Sequence, residues 1–209
     1  MFNFGKKDRK AHWEDVYRKH HRSELGWYQE FPDISLAMIE STGVDAKGSV
    51  IDVGGGASRL IELLVARGNK VTVLDISSTA LEEAKNRLGD SSDEVKWIVA
   101  DATKYKFMEE YDVWHDRAVF HFLTNPEDRK KYIASLNSAL RVGSYLVIST
   151  FGPAAPRKCS GLRIMRYTKD SLQREFGDNF QMTESKNEIH VTPTSKKQEF
   201  IYCQFKKIH

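Results

Sequence analysis

The sequence predicts an α/β fold: a mostly parallel sheet covered by helices on both faces. Three observations carry that expectation. Strand-like and helix-like segments alternate from residue 49 to residue 150, the pattern of parallel strands joined by right-handed crossovers. The first strand-like run, Ser49-Val50-Ile51-Asp52-Val53, breaks into Gly54-Gly55-Gly56, and a helical pattern of Leu60, Ile61, Leu63, Leu64 and Val65 follows at once. Glycines at such a bend let a ligand approach the open N–H groups of the following helix with no Cβ in the way. The second strand, residues 70–74, runs into Asp75, nineteen positions after Gly56. At that distance an acid reaches a ribose hydroxyl in nucleotide-binding half-folds.

Taken in order, residues 1–10 are charged and read as an unstructured start. Residues 11–20 form a helix with Trp13, Val16 and Tyr17 on one face. A loop rich in aromatic and polar groups (His20, His21, Trp27, Tyr28) leads to a helix capped by Asp33 or Ser35 and carrying Leu36, Met38 and Ile39. After Asp75, Ser77 or Ser78 caps a helix running to Leu88, and Gly89 stops it. Residues 95–99 make the third strand, followed by Asp101-Ala102, and residues 111–116 the fourth. Pro126 opens a long helix with Tyr132, Ile133, Leu136 and Leu140 inward, which Gly143 ends; residues 145–150 are the fifth strand. The tail breaks the alternation: a short helix at residues 169–176, then strands near 179–188 and 198–206. Their link, residues 190–195, is too short for a crossover, so the two pair antiparallel.

Composition narrows the function classes. The chain has 209 residues, 40% of them hydrophobic, enough for one domain with a proper core. Its apolar runs are strand-sized, which predicts no membrane span, and its charged start lacks a secretory pattern. Cys159 and Cys203 stand far apart with no His or Cys at metal-like spacing, pointing to a reduced, cytoplasmic protein without a structural metal. The net charge of +3 is mild. Lys6, Lys7, Arg9, Lys10 and Lys196, Lys197, Lys206, Lys207 thicken the basic ends, which read as solvated tails before an acidic partner.

A dinucleotide dehydrogenase and a methyltransferase both fit a glycine turn plus a distal acid. Three features favour the second. Arg59 occupies the place of the third glycine of G-x-G-x-x-G, Asp101-Ala102 follows the third strand, and the sheet ends in a hairpin. The ordered set Asp52, Gly54, Gly56, Asp75 and Asp101 resembles the class I S-adenosylmethionine-dependent methyltransferases over roughly residues 11–206. The resemblance implies a Rossmann-like, seven-stranded sheet with a C-terminal antiparallel strand. It also implies a helical lid at 1–48, a cofactor core at 49–150 and acceptor-side elements at 151–209. It carries over S-adenosyl-L-methionine as cofactor: Gly54 and Gly56 pass its methionine part, with Asp52 behind them. Asp75 takes the ribose, Ile76 packs on the adenine, and Asp101 and Ala102 meet the adenine edge. His115 and Asp116 stand beside the methyl group as catalytic candidates, His115 also touching cofactor.

A nearer likeness is to the branch containing eukaryotic protein-lysine methyltransferases, through Trp13 and Tyr17, the pair Trp27-Tyr28 and the turn Gly54 to Ser58. That branch places an acid-Lys-Gly-Thr motif after the fourth strand, where this chain has Asp116-Arg117-Ala118-Val119, then Phe120-His121-Phe122. The departure shifts the expected acceptor to a small molecule, such as a thiol or another soft nucleophile, with protein lysine as the alternative. Nucleic acid is disfavoured: no Asn/Asp-Pro-Pro-aromatic motif follows the fourth strand, and no basic stripe is present. Methyl transfer needs alignment first, and a base only if the acceptor arrives protonated; among the histidines His115 is the best placed. His121, between two phenylalanines, reads as a core residue, and Cys159 lies in a loop without a sign of lowered pKa. Arg117 is a site for an acidic acceptor or an ordinary ion pair. Trp13, Tyr17, Trp27 and Tyr28 are a lid over the sulfonium end or packing for the N-terminal helices.

Overall fold

The computed structural model describes residues 8–209. Seven strands form one sheet: β1 (Ser49–Val53), β2 (Lys70–Asp75), β3 (Lys96–Val99), β4 (Tyr111–Arg117), β5 (Leu140–Phe151), β8 (Phe180–Val191) and β9 (Lys197–Lys207). They lie in the order β3-β2-β1-β4-β5-β9-β8. β1 to β5 run parallel, and β9 is inserted antiparallel between β5 and β8. Two-residue strands β6 (Lys158–Cys159) and β7 (Leu162–Arg163) form a separate hairpin.

Strand residues alternate between two cores. Val50, Val71, Val73, Val113 and Val147 pack on the face covered by α2 (Asp33–Ser41), α3 (Leu60–Arg67) and α4 (Ser78–Leu88). Ile51, Leu74, Trp114, Leu146 and Ile148 pack on the opposite face, under α5 (Pro126–Ala139) and α6 (Lys169–Phe176). Both faces being buried explains the near-continuous apolar strands. Each fully buried Leu or Ile contributes about 1.5–3 kcal/mol. The helix starts are polar by design of the sequence: Ser77 Oγ accepts from Ala80 N at the head of α4, and Asn125 Oδ1 from Glu127 N beside Pro126 at the head of α5. Strand order reverses between β1 and β4, and the crevice at that switch point is where open α/β sheets bind ligands.

Several boundaries differ from expectation. α1 spans Arg9–Lys19, capped by Asp8, so the start is ordered from residue 8; the expectation for residues 1–7, including Lys6 and Lys7, lies outside the described residues. At α2, Pro32 occupies the cap position without a side-chain bond, because Asp33 is already helical and Ser35 is buried. The chain passes from α5 into β5 directly: Leu140 pairs with Tyr111 rather than facing inward from the helix, and residues 141–144, Gly143 among them, bulge before Tyr145 pairs with Val113.

Candidate functional site

The bend after β1 is shaped by what surrounds it. Gly54 N donates to Leu74 O at 2.6 Å, with φ +70°. A Cβ on Gly54 would strike Val119, and one on Gly56 (φ +46°) would strike the Tyr17 hydroxyl. Both positions therefore require glycine, for conformation and for room.

Two cavities open over this edge. The first is lined by Leu74, Asp75, Ile76, Asp101, Ala102 and Phe122 among others. The second, about 540 Å³, is lined by Asp52, Gly55, Ser58, Ser35, His115 and Arg59 among others. Tyr17, Trp27, Gly54 and Arg117 line both. The first has the walls the adenosine end needs, two acids and apolar planes; the second holds the groups that suit an amino-acid end.

The acids differ in what they leave free. Asp75 Oδ1 accepts from Ser77 N at 2.8 Å. Burial, opposed by that N–H and reinforced by the charge of Asp52, pushes its carboxyl up to about 7. Asp52 Oδ1 accepts from His115 Nδ1 at 2.7 Å, while its buried Oδ2 has no hydrogen bond. Such an oxygen is costly unless a ligand donor meets it, and an ammonium group answers that need. Asp101 Oδ1 accepts from Thr103 N and Oγ1, and its Oδ2 lies 3.4 Å from Arg9.

The roof is α1 and the loop after it. Trp13 packs edge-on to Trp27 and Phe122, with ring centroids 5.6 and 5.0 Å apart, and Tyr17 edge-on to Trp27. Glu14 fastens this helix to the start of α4: its carboxylate accepts from Ser78 N (2.7 Å), Thr79 N (3.2 Å) and the Ser77 and Ser78 hydroxyls. Burial raises its pKa, but those bonds outweigh it and hold the group down at about 2. Tyr28 is paired with Glu30 and lines the second cavity alone.

The two catalytic candidates on β4 stand in different surroundings. Asp116 is fully buried and lines neither cavity. Its oxygens accept from Val119 N (2.9 Å), Phe120 N (3.2 Å) and Tyr132 Oη (2.5 Å). It organises the turn after β4, and burial keeps its pKa at about 6 against those bonds. His115 borders the second cavity with both ring nitrogens engaged, by Asp52 and by Ser35 Oγ at 2.9 Å. Alternation along β4 turns it to the wall of the second cavity, where its ring links Ser35 to Asp52.

His121 is buried, with Nδ1 accepting from Phe151 N at 3.3 Å; burial, then Arg117, lowers its pKa to about 3. Burial pushes the Cys159 thiol up to about 11, so it is not an activated nucleophile. Sequence reasoning missed Arg9, Glu14 and Val119, and placed Ser35 only as a cap. All four act across long chain separations with no local pattern to mark them.

Residues 50–143 match the methyltransferase domain family. Malonyl-[acyl-carrier protein] O-methyltransferase of Anoxybacillus flavithermus is 34% identical over 130 residues, 60% of this chain and 48% of that one. The chain thus spans about half the length of these curated O-methyltransferases. Human EEF1A lysine methyltransferase 2 is 23% identical over 195 residues, 84% of this chain and 75% of that one. The crystal structure of Burkholderia thailandensis 1,6-didemethyltoxoflavin-N1-methyltransferase, with its substrate and S-adenosylhomocysteine bound, superposes with a TM-score of 0.74 at 16% identity, covering 100% and 93% of the two chains. Among the described residues no helix is long and apolar enough to cross a membrane.

Proposed function

We propose that this chain, a member of the class I S-adenosylmethionine-dependent methyltransferases, transfers the methyl group to a small-molecule nucleophile. The observation that carries the acceptor class is the roof: Trp13, Tyr17, Trp27 and Phe122 close over the crevice, leaving little room for a folded protein surface. When bound, S-adenosylmethionine supplies a methyl carbon made electrophilic by its positive sulfur.

The chain's residues do the rest by position. Asp75 would accept from the ribose hydroxyls, Ile76 would pack on the adenine, and Asp101 and Ala102 would meet its edge. Asp52 Oδ2, buried without a partner, would accept from the amino group, and the bend at Gly54 and Gly56 would allow the close approach. The aromatic roof would exclude water and help hold donor and acceptor in line, where transfer needs a separation of about 3–3.5 Å. In this scheme residues 8–48 would serve as lid, 49–150 as cofactor core and 151–209 as the acceptor side. A thiol suits the site best, since its thiolate attacks without help from a base. A protein-lysine acceptor is the second reading, favoured by the match to the human lysine methyltransferase along 84% of this chain.

Incubation with methyl-labelled cofactor separates them. A panel of small thiols, amines and carboxylic acids should yield labelled product, with no protein band labelled in a cell lysate. Label on a protein band and on none of the panel overturns the small-molecule acceptor.

A further inference from the structure

Arg117 ends β4 and borders both cavities. Its side chain is 10% exposed, so the guanidinium is nine-tenths out of water. Nε donates to Tyr202 Oη at 2.8 Å and Nη1 to the Trp27 carbonyl at 2.7 Å, and the group lies over the Phe200 ring at 4.6 Å. Nη2 is buried without a hydrogen bond. The nearest carboxylate, Glu188, stands 3.8 Å from it, and its oxygens already accept from Gln29 Nε2 and Tyr202 Oη. A buried cation with an unmade N–H bond is costly. A guanidinium where a sulfonium must lie is costlier still, unless an anion joins them.

We propose that Arg117 is a specificity-determining residue whose Nη2 takes an anionic group, a carboxylate, on the acceptor. The proposal rests on the methyltransferase function given above and names the acceptor's charge. Arg22 and Arg59 border the second cavity alone, where a cofactor carboxylate has partners without Arg117. Each is ion-paired, with Glu83 at 2.9 Å and Glu30 at 2.8 Å, yet each keeps a buried Nε without a hydrogen bond, open to that carboxylate. Arg117, at the junction of the cavities, is left for a second ligand. A carboxylate there also offsets the sulfonium charge and orients the nucleophile two or three bonds away. Glu188 and Tyr202 act as positioning residues: they hold the guanidinium in one orientation.

The test uses three small thiols that differ in charge: 3-mercaptopropionate, 2-mercaptoethanol and cysteamine. Each is titrated by calorimetry into the protein saturated with S-adenosylhomocysteine, and each is offered as acceptor with labelled S-adenosylmethionine. The anionic thiol should bind, and show a KM lower than the neutral one's, by about tenfold or more, with cysteamine weakest, as loss of a charge-assisted bond implies. Arg117→Gln should erase that ranking while holding S-adenosylhomocysteine affinity within about twofold, and Arg117→Lys should restore part of it. Thermal melts of both variants confirm that they are folded. Equal binding of the three thiols, no binding by any, or a ranking that survives Arg117→Gln overturns the proposal. A fall in S-adenosylhomocysteine affinity matching the loss of thiol binding also overturns it, by assigning Arg117 to the cofactor's own carboxylate. Failure of wild-type protein to bind S-adenosylhomocysteine would instead strike the methyltransferase function.

Discussion

Asp75 and Asp116 are both carboxylates at the carboxyl end of a parallel strand, both buried, and both held above the usual aspartate range by that burial. They stand in different surroundings. Every strong donor around Asp116 belongs to the chain itself: two N–H groups of the next turn and the Tyr132 hydroxyl. Asp75 also accepts from N–H groups of the chain, Ser77, Gly56 and Ile76, but it borders a cavity, and Asp52 beside it keeps one oxygen without a partner. Unspent hydrogen-bonding capacity at a cavity wall marks a ligand site, and full satisfaction marks a scaffold, although residue type and strand position are the same.

The sharpest way to break this contrast is to remove the room above the bend. Gly56→Val puts a branched side chain at φ +46° against the Tyr17 hydroxyl, so the roof must lift. Calorimetry should then show S-adenosylhomocysteine affinity reduced by about a hundredfold or more, ~2.7 kcal/mol, with circular dichroism unchanged. Retained affinity would mean that the bend does not face the ligand.

Asp75→Asn comes next. Loss of a charge-assisted acceptor should weaken S-adenosylhomocysteine by about 10- to 100-fold, ~1.5–3 kcal/mol. The pH dependence sharpens it. Ligand hydroxyls need the carboxylate, and the carboxyl titrates at about 7, so wild-type affinity should rise as pH climbs through 7 and then level; the Asn variant should be flat. Stability without ligand runs the other way. The folded pKa lies above the unfolded value of 3.8, so the folded state holds the extra proton between about 4 and 7, and stability falls as pH rises across that window. At pH 8 the unliganded Asn variant should melt higher than wild type while binding worse. A variant that loses both would place Asp75 with the scaffold.

Asp116→Ala tests the other side. It strands the Val119 and Phe120 N–H groups, which should cost about 1–3 kcal/mol in chemical denaturation, while the folded fraction keeps S-adenosylhomocysteine affinity. A stable protein with dead methyl transfer would restore the catalytic role.

The same contrast explains what could be read from the chain beforehand. The sheet, its reversed last strand and the order Asp52, Gly54, Gly56, Asp75, Asp101 are legible because they are local: alternation, a glycine bend, an acid at a strand end. Helix α6 is found at residues 169–176 for the same reason, with Thr168 and Ser171 capping it. The division of labour among the β4 residues is not legible. Asp116, His115 and Arg117 alternate across a sheet whose neighbours come from Tyr132, Ser35 and Tyr202, up to 85 positions away. The α5–β5 junction is missed because Gly143 imitates a helix stop, whereas Leu140 gains more by pairing with Tyr111.

The smallest expected effect decides the role of His115. Ser35 is 1% exposed, and its hydroxyl contacts His115 Nε2 with no solvent between them. Ser35→Ala removes one neutral hydrogen bond and should cost about 0.5–1.5 kcal/mol of stability. It also frees the one ring nitrogen that Asp52 does not hold. Were His115 a base limited by that bond, freeing Nε2 would raise kcat and add an ionisation to its pH profile. With His115 serving to orient Asp52, so that Oδ2 stays open to the cofactor, the variant should melt lower while kcat keeps its pH profile and S-adenosylhomocysteine binds slightly more weakly, since Asp52 is less firmly held. A new pH limb in kcat would move His115 from the scaffold to the chemistry, and with it the line between the two kinds of strand-end group.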